Sequence, residues 1–159
     1  MEWTHTEQVL QNWADDFLQR LKDRLIRDDK YASGDLLASL QTTVVANGNE
    51  LTVWLTSEDY LQYINNGTEP HFPPRAPIEK WIEDKGIEPY PDKNGKLPTV
   101  QGLAFLICRK ISQVGTEADP VVDDTVREVN EIYMSRIEEA IIQDLDDEVR
   151  AILIDSMVW

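Results

Sequence analysis

The chain has 159 residues, of which 42% are hydrophobic and 28% charged, and this near-average composition argues against wholesale disorder. Thirty acidic residues against fifteen basic ones give a net charge of −15. Such a charge repels phosphate backbones and anionic bilayers, so sequence-independent binding to DNA, RNA or a membrane surface is disfavoured. No apolar stretch approaches the roughly 20 residues of a membrane span, and the first residues lack the apolar core of a signal peptide. We therefore expect a soluble protein.

The first thirty residues predict an amphipathic helix. Thr4-x-x-Glu7 reads as a capping box, and apolar residues then recur at spacings of three and four, namely Leu10, Trp13, Phe17, Leu21 and Leu25. This helix is expected over 1–30, and a short turn of helix is expected after Ser33-Gly34.

A β-hairpin is predicted next. Two runs between Thr42 and Leu55 are rich in β-branched residues and are separated by Asn47-Gly48-Asn49-Glu50, which is a strong hairpin signal. Alternation gives the second run one apolar face, which we expect to look into the core, made up of Leu51, Val53 and Leu55. Trp54 points the other way, where it is either covered by another element or exposed for a partner.

Three helices with marked ends are predicted between residues 57 and 115. The first carries Tyr60 and ends at Gly67, the second has Pro77 in its first turn, and the third opens at Thr99 and stops around Gly115. From these patterns we expect a core formed by Leu51, Val53, Leu55, Trp81, Leu103 and Ile107.

The last segment, 119–159, is predicted to be helical and is strongly acidic. It begins with Asp119-Pro120, a capping residue followed by proline, and Leu145-Asp146-Asp147 marks either a kink or the start of a separate helix. Residues from Thr116 onward carry −10 of the net charge. The predicted fold is α+β in a single domain, with a small antiparallel sheet packed by several helices and residues 33–115 as the α+β core.

Few residues could support catalysis or metal binding. The single cysteine, Cys108, excludes an intrachain disulfide and a multi-cysteine metal site, and its apolar neighbours predict a small buried side chain. Acidic pairs such as Asp123-Asp124 lack the spacing of a calcium loop, and the sequence has no nucleophile elbow, zinc helix or glycine-rich phosphate loop. We expect no enzymatic activity, no catalytic or metal-binding residues and no cofactor.

One set of motifs carries a family resemblance. The segment Tyr60-x-x-Tyr63-x-x-x-Gly67-Thr68 follows Ser33-Gly34-Asp35-Leu36-x-x-Ser39-Leu40 and the hairpin, and precedes Gly115-Thr116. In order and spacing these motifs resemble the tail-completion and head–tail-joining (neck or minor tail) family of tailed bacteriophages, over roughly residues 33–126. The resemblance implies a structural virion protein without catalysis, assembled in the host cytoplasm.

The resemblance also implies partners. The chain would form a homo-oligomeric ring in the neck or upper tail, join capsid to tail beside neighbouring neck, portal-side and tail proteins, and let DNA pass without specific binding. The expected subunit or partner interface comprises Tyr60, Tyr63, Gly67, Thr68, His71, Phe72 and Arg75, with the outward Trp54. The tyrosines could instead be half-buried core residues.

A second class of function is an acidic DNA mimic or another protein-interaction module. A decoy of DNA would need carboxylates spread over an elongated surface at phosphate-like spacing, and the acidic helical segment could supply them.

Overall fold

The computed structural model describes residues 2–30, 34–91, 93 and 95–156, which form six helices and one two-stranded antiparallel sheet. In chain order the elements are α1 (Thr4–Arg27), α2 (Gly34–Ser39), β1 (Gln41–Asn47), β2 (Glu50–Thr56), α3 (Tyr60–Asn66), α4 (Arg75–Asp84), α5 (Val100–Val114) and α6 (Val121–Ser156). The predicted α+β class, with a long C-terminal helix, is confirmed.

The C-terminal ends of α3, α4 and α5 and the start of α5 follow the local signals of the sequence. Residues with positive φ, Gly67, Gly86 and Gly115, follow the last turns of α3, α4 and α5. The Thr99 hydroxyl accepts a hydrogen bond from the Gly102 N–H at 3.1 Å, which caps the start of α5. The capping box predicted at Thr4 is wrong, because Thr4 is already inside α1 and the Glu7 N–H donates to the Trp3 carbonyl at 2.8 Å. Helix α6 runs unbroken across Leu145–Asp147 for about 54 Å, so the kink considered there does not interrupt it.

The residues group into two compact units. Unit 1 consists of Met1–Arg24, Leu40–Thr56 and Val122–Trp159, and unit 2 consists of Leu25–Ser39 and Ser57–Val121. Unit 1 therefore contains most of α1, the hairpin and nearly all of α6, whereas unit 2 contains α2 to α5. The single-domain assignment stays a prediction.

The hairpin of unit 1 forms where it is predicted, and β2 shows the predicted alternation. Val44 pairs with Val53 and Asn47 with Glu50, so only Gly48 and Asn49 form the turn. Trp54 lies on the outer face with 61% of its surface exposed. The turn is fixed to the N-terminus of the chain because the Trp3 indole Nε1 donates to the Gly48 carbonyl at 3.0 Å.

The core of unit 1 is formed mainly by α1 and α6. Its buried apolar residues are Ala14, Phe17, Leu21, Leu40, Val129 and Ala140. Trp13 stacks on Phe17 with ring centroids 5.2 Å apart, and its indole Nε1 donates to Asn130 Oδ1 at 2.9 Å.

A buried carboxylate joins the N-terminal end of α1 to α6. Asp144, only 2% exposed, accepts hydrogen bonds from the backbone N–H groups of His5 at 2.9 Å and Thr6 at 2.8 Å, and from the Thr6 hydroxyl at 2.6 Å. Because the first N–H groups of a helix have no partner within it, this carboxylate caps α1 from a distant part of the chain. Burial alone would raise the pKa of Asp144, but these hydrogen bonds outweigh it and hold the pKa below its ordinary value.

The predicted core is wrong in its members. Leu51, Val53, Leu55, Trp81, Leu103 and Ile107 are all half-buried, and the fully buried side chains come largely from the helices. A two-stranded sheet is too narrow to cover its own inner face, which leaves the flanks of the strand residues in contact with water.

In unit 2 the buried apolar residues are Leu25, Leu36, Leu61, Ile82, Ala104, Cys108 and Val121, so the prediction of a buried Cys108 is confirmed.

Candidate functional site

Unit 2 contains an open groove with a volume of about 700 Å³. Its walls come from α2, α3, the proline-rich segment 68–74, α4 and α5. The lining is mostly aromatic and aliphatic, with Tyr60, Tyr63, Pro73, Pro74, Pro77, Ile78, Trp81, Ile107 and Ile111. A concave apolar surface with a few polar groups is typical of a binding site.

Helix α3 places two tyrosines at the groove. Tyr60 and Tyr63 are three residues apart and therefore lie on one face of the helix. They are 40% and 51% exposed, whereas Leu61 between them is 3% exposed and anchors the helix in the unit. The tyrosine rings are thus presented at the surface and not packed in the core.

A short β-bridge fixes the end of the groove. Thr68 and Thr116 form an antiparallel bridge in which each backbone N–H donates to the other's carbonyl at 3.0 Å, and the two hydroxyls are 2.9 Å apart. Each threonine follows a glycine that ends a helix, α3 or α5. The bridge therefore holds the C-terminal ends of these two helices together.

Gly67 and Gly115 make this close approach possible. Their φ angles are 64° and 70°, with ψ angles of −168° and −159°, a region that only glycine adopts readily. A Cβ at Gly67 would strike the Thr116 carbonyl oxygen and lie 2.7 Å from the Ala118 nitrogen, and a Cβ at Gly115 would strike the Thr68 carbonyl oxygen. Both glycines are therefore required by the backbone conformation and by the close approach of the two segments.

The structure brings together four of the eight residues expected at the interface. Tyr60, Tyr63, Thr68 and His71 line the groove, and the His71 ring Nδ1 lies 2.9 Å from the Glu69 carbonyl. Gly67 shapes the adjoining wall.

The remaining three expected residues lie elsewhere. Phe72 is 53% exposed and pairs with Phe105 at 6.1 Å, forming a second exposed aromatic surface in unit 2. Arg75 is exposed at the first turn of α4. Trp54 belongs to the hairpin of unit 1 and is not part of the groove.

The charged side chains that line the groove are mainly acidic. Three carboxylates, on Asp35, Glu58 and Asp84, face one ammonium group, on Lys80. The Lys80 Nζ lies 3.8 Å from Asp35 Oδ2 and 4.0 Å from Asp84 Oδ2, so it is shared between two of them. The groove therefore combines apolar walls with a net negative rim.

The sequence patterns did not identify the far wall of the groove. The sequence predicts Trp81 and Ile107 in the core and assigns Ile78 and Ile111 to no site. Their spacing holds a signal, because Ile78 with Trp81 and Ile107 with Ile111 are pairs that share one helix face. Periodicity shows that a face is apolar, but it does not show whether another element covers that face.

Metal binding and membrane spanning each require particular features of the described residues. Within them, no group of three or more His, Cys, Asp or Glu side chains is placed to hold a metal ion. None of the helices in these ranges has both the length and the apolar character needed to cross a bilayer.

Comparisons with known proteins return no relative. No protein-family model matches the chain, and neither the curated proteins nor the solved structures include a match.

Proposed function

We propose that this chain is a structural virion protein of a tailed bacteriophage, a ring subunit of the neck or upper tail that joins capsid to tail. The observation that carries the proposal is the groove of unit 2. Its shape depends on the motif residues through which the sequence resembles that family, namely Tyr60, Tyr63, Gly67, Thr68, Gly115 and Thr116. These residues lie apart in the sequence and meet at one surface feature.

The groove is suited to binding a protein segment. Exposed tyrosines are enriched at protein interfaces because they bury a large apolar area and offer a hydroxyl at low entropic cost. The acidic rim favours a segment that carries a basic residue beside its apolar ones. In a closed ring of identical subunits, one surface meets a different surface of the neighbour, so the groove of one subunit would receive a segment of the next.

The experiment is complementation in the genome that encodes this chain. The gene is deleted and supplied in trans as the wild type, as Tyr60→Ala/Tyr63→Ala, or as the control Tyr90→Ala. Tyr90 is 89% exposed in the same unit and does not line the groove. Because all three tyrosines are exposed, the melting temperatures of the purified variants should remain close to the wild-type value.

We expect the double variant to lose infectious particles while DNA-filled heads and separate tails accumulate, and the Tyr90 variant to behave as the wild type. Electron microscopy and plaque counts provide the two readouts. Normal particles from the double variant would reject the groove as the joining surface. Absence of the chain from purified virions would reject the proposed function itself.

The DNA-mimic alternative receives no comparable support. A decoy needs carboxylates spread over an elongated surface, whereas one exposed face of α6 is apolar and includes Ile142, Val149 and Ile152.

A further inference from the structure

The second half of α6 has an apolar face that no described residue covers. Five side chains there are between 46% and 64% exposed: Ile142, Leu145, Val149, Ile152 and Leu153. At 3.6 residues per turn they fall within an arc of about 100°, as wide as the core-facing stripe of an ordinary surface helix. We call these five residues the α6 stripe.

The α6 stripe points away from the rest of unit 1. Ala140 and Asp144 are buried, and Asp144 bonds to the start of α1. Both lie about 150–180° around the helix from Ile142. The face of α6 that packs on its own unit is therefore opposite to the stripe, and a contiguous exposed apolar surface of this kind marks an interaction site.

Charges around the stripe restrict what can cover it. Of the charged side chains in residues 142–156, Asp144 and Asp147 lie on the opposite face of the helix. Nearer the stripe are three carboxylates and one guanidinium, a net charge of −2, from Asp146, Glu148, Asp155 and Arg150. The Arg150 Nε is engaged with Asp146 Oδ2 at 2.9 Å. Asp146 borders the stripe on one side, and Glu148 and Asp155 lie beyond its other edge.

These observations argue against two occupants. A second copy of α6 would bring like charges against like charges, which is unfavourable. Helices that lie on membranes have basic polar faces that attract anionic lipid, whereas this one is acidic.

We propose that the α6 stripe is a docking site for a basic amphipathic helix of another protein, with apolar residues on the seam and Lys or Arg on its flanks. Apolar burial provides the contact, and the opposite charges select the partner and its register. This proposal does not depend on the phage assignment, because the stripe belongs to unit 1 and the groove to unit 2.

The test uses the full chain and two synthetic peptides, each about three heptads long with Leu and Ile at the seam positions. One peptide has Lys and Arg at the flanking positions and the other has Glu. Fluorescence anisotropy of the labelled peptides measures Kd for the wild type, for Val149→Ser/Ile152→Ser, and for the matched control Ile154→Ser. Ile154 is 66% exposed but lies about 150° around the helix from the middle of the stripe.

We expect the basic peptide to bind the wild type and Ile154→Ser equally, and the double variant at least about tenfold more weakly. The acidic peptide should bind the wild type at least about tenfold more weakly than the basic one. Added salt should weaken binding of the basic peptide to the wild type. Circular dichroism checks that both variants keep the wild-type helix content.

Three results would overturn the proposal. Equal binding of the two peptides to the wild type, or binding of neither, would show that the flanking charges select no basic partner. Unchanged binding by the double variant would show that the basic peptide binds only through charge, at a surface other than the stripe. Sedimentation of the wild type as an oligomer that the double variant dissociates would assign the stripe to a second copy of this chain.

Discussion

Asp144 shows how one residue can join distant segments. It lies in the middle of α6, yet its carboxylate satisfies backbone N–H groups at the beginning of α1. Since the pKa of Asp144 is held below its ordinary value in the folded chain, the ionised form stabilises the fold above about pH 4. That contribution is lost as the pH falls through the native-state pKa.

Asp144→Asn should therefore lower the free energy of unfolding by about 1–3 kcal/mol at neutral pH, because an amide replaces the charged acceptor in a buried site. It should also reduce the loss of stability between neutral and acid pH. Urea denaturation over a pH series measures both effects. The control is Asp147→Asn, whose exposed side chain lies 3.1 Å from His5 Nε2 and whose removal should cost no more than about 0.5 kcal/mol. Equal costs for the two variants would show that Asp144 does not act as a cap.

Gly67 is the second residue whose role can be isolated. Gly67→Ala should destabilise unit 2 by about 1–3 kcal/mol more than Gly86→Ala, because both glycines have positive φ but only Gly67 faces a backbone within 3 Å. A Cβ at Gly86 has nothing within 4 Å. Thermal unfolding of the two variants makes the comparison. If they lose the same stability, the cost comes from φ alone and the Thr68–Thr116 bridge tolerates a side chain.

At the scale of elements, local signals predicted type and boundaries well and burial poorly. The turn at Asn47-Gly48-Asn49-Glu50 and the helix ends at Gly67 and Gly115 depend on nearby residues, so the sequence contains the information. Burial depends on which faces meet. The face with Leu51, Val53 and Leu55 was correctly recognised as apolar and wrongly placed in the core, because nothing local shows how fully a face is covered.

This distinction predicts different costs for two leucines of unit 1. Leu21 is fully buried in α1. Leu21→Ala should lower the free energy of unfolding by about 2–5 kcal/mol, because apolar burial is lost and a cavity remains. Leu55 is half-buried in β2, so Leu55→Ala should lower the free energy of unfolding by only about 1 kcal/mol. Chemical denaturation of Leu21→Ala and Leu55→Ala measures the difference. If Leu55→Ala lowered the free energy of unfolding as much as Leu21→Ala, Leu55 would be a core residue after all.

At the scale of the whole molecule, the arrangement of the chain into units lay beyond what the sequence could predict. The patterns suggested three successive parts: a helix, an α+β core and an acidic helix. In the structure the hairpin groups instead with the two long helices, and the middle part splits around it. Of the residues that line the groove, the sequence singles out only Tyr60, Tyr63, Thr68 and His71, as part of an expected partner interface. The tyrosine and threonine positions form a recognisable local motif, whereas the contribution of Trp81 and Ile107 requires knowledge of how α4 and α5 pack.

The segments of the two units alternate along the sequence, and this order has a consequence for synthesis on the ribosome. All of unit 2 has been translated by residue 121, whereas unit 1 still lacks α6 at that point. Translation proceeds at about 5–20 residues per second, so α1 waits several seconds for α6, whose Asn130 and Asp144 it contacts in the folded chain. During that interval the nascent chain is a candidate for chaperone capture through the apolar face of α1.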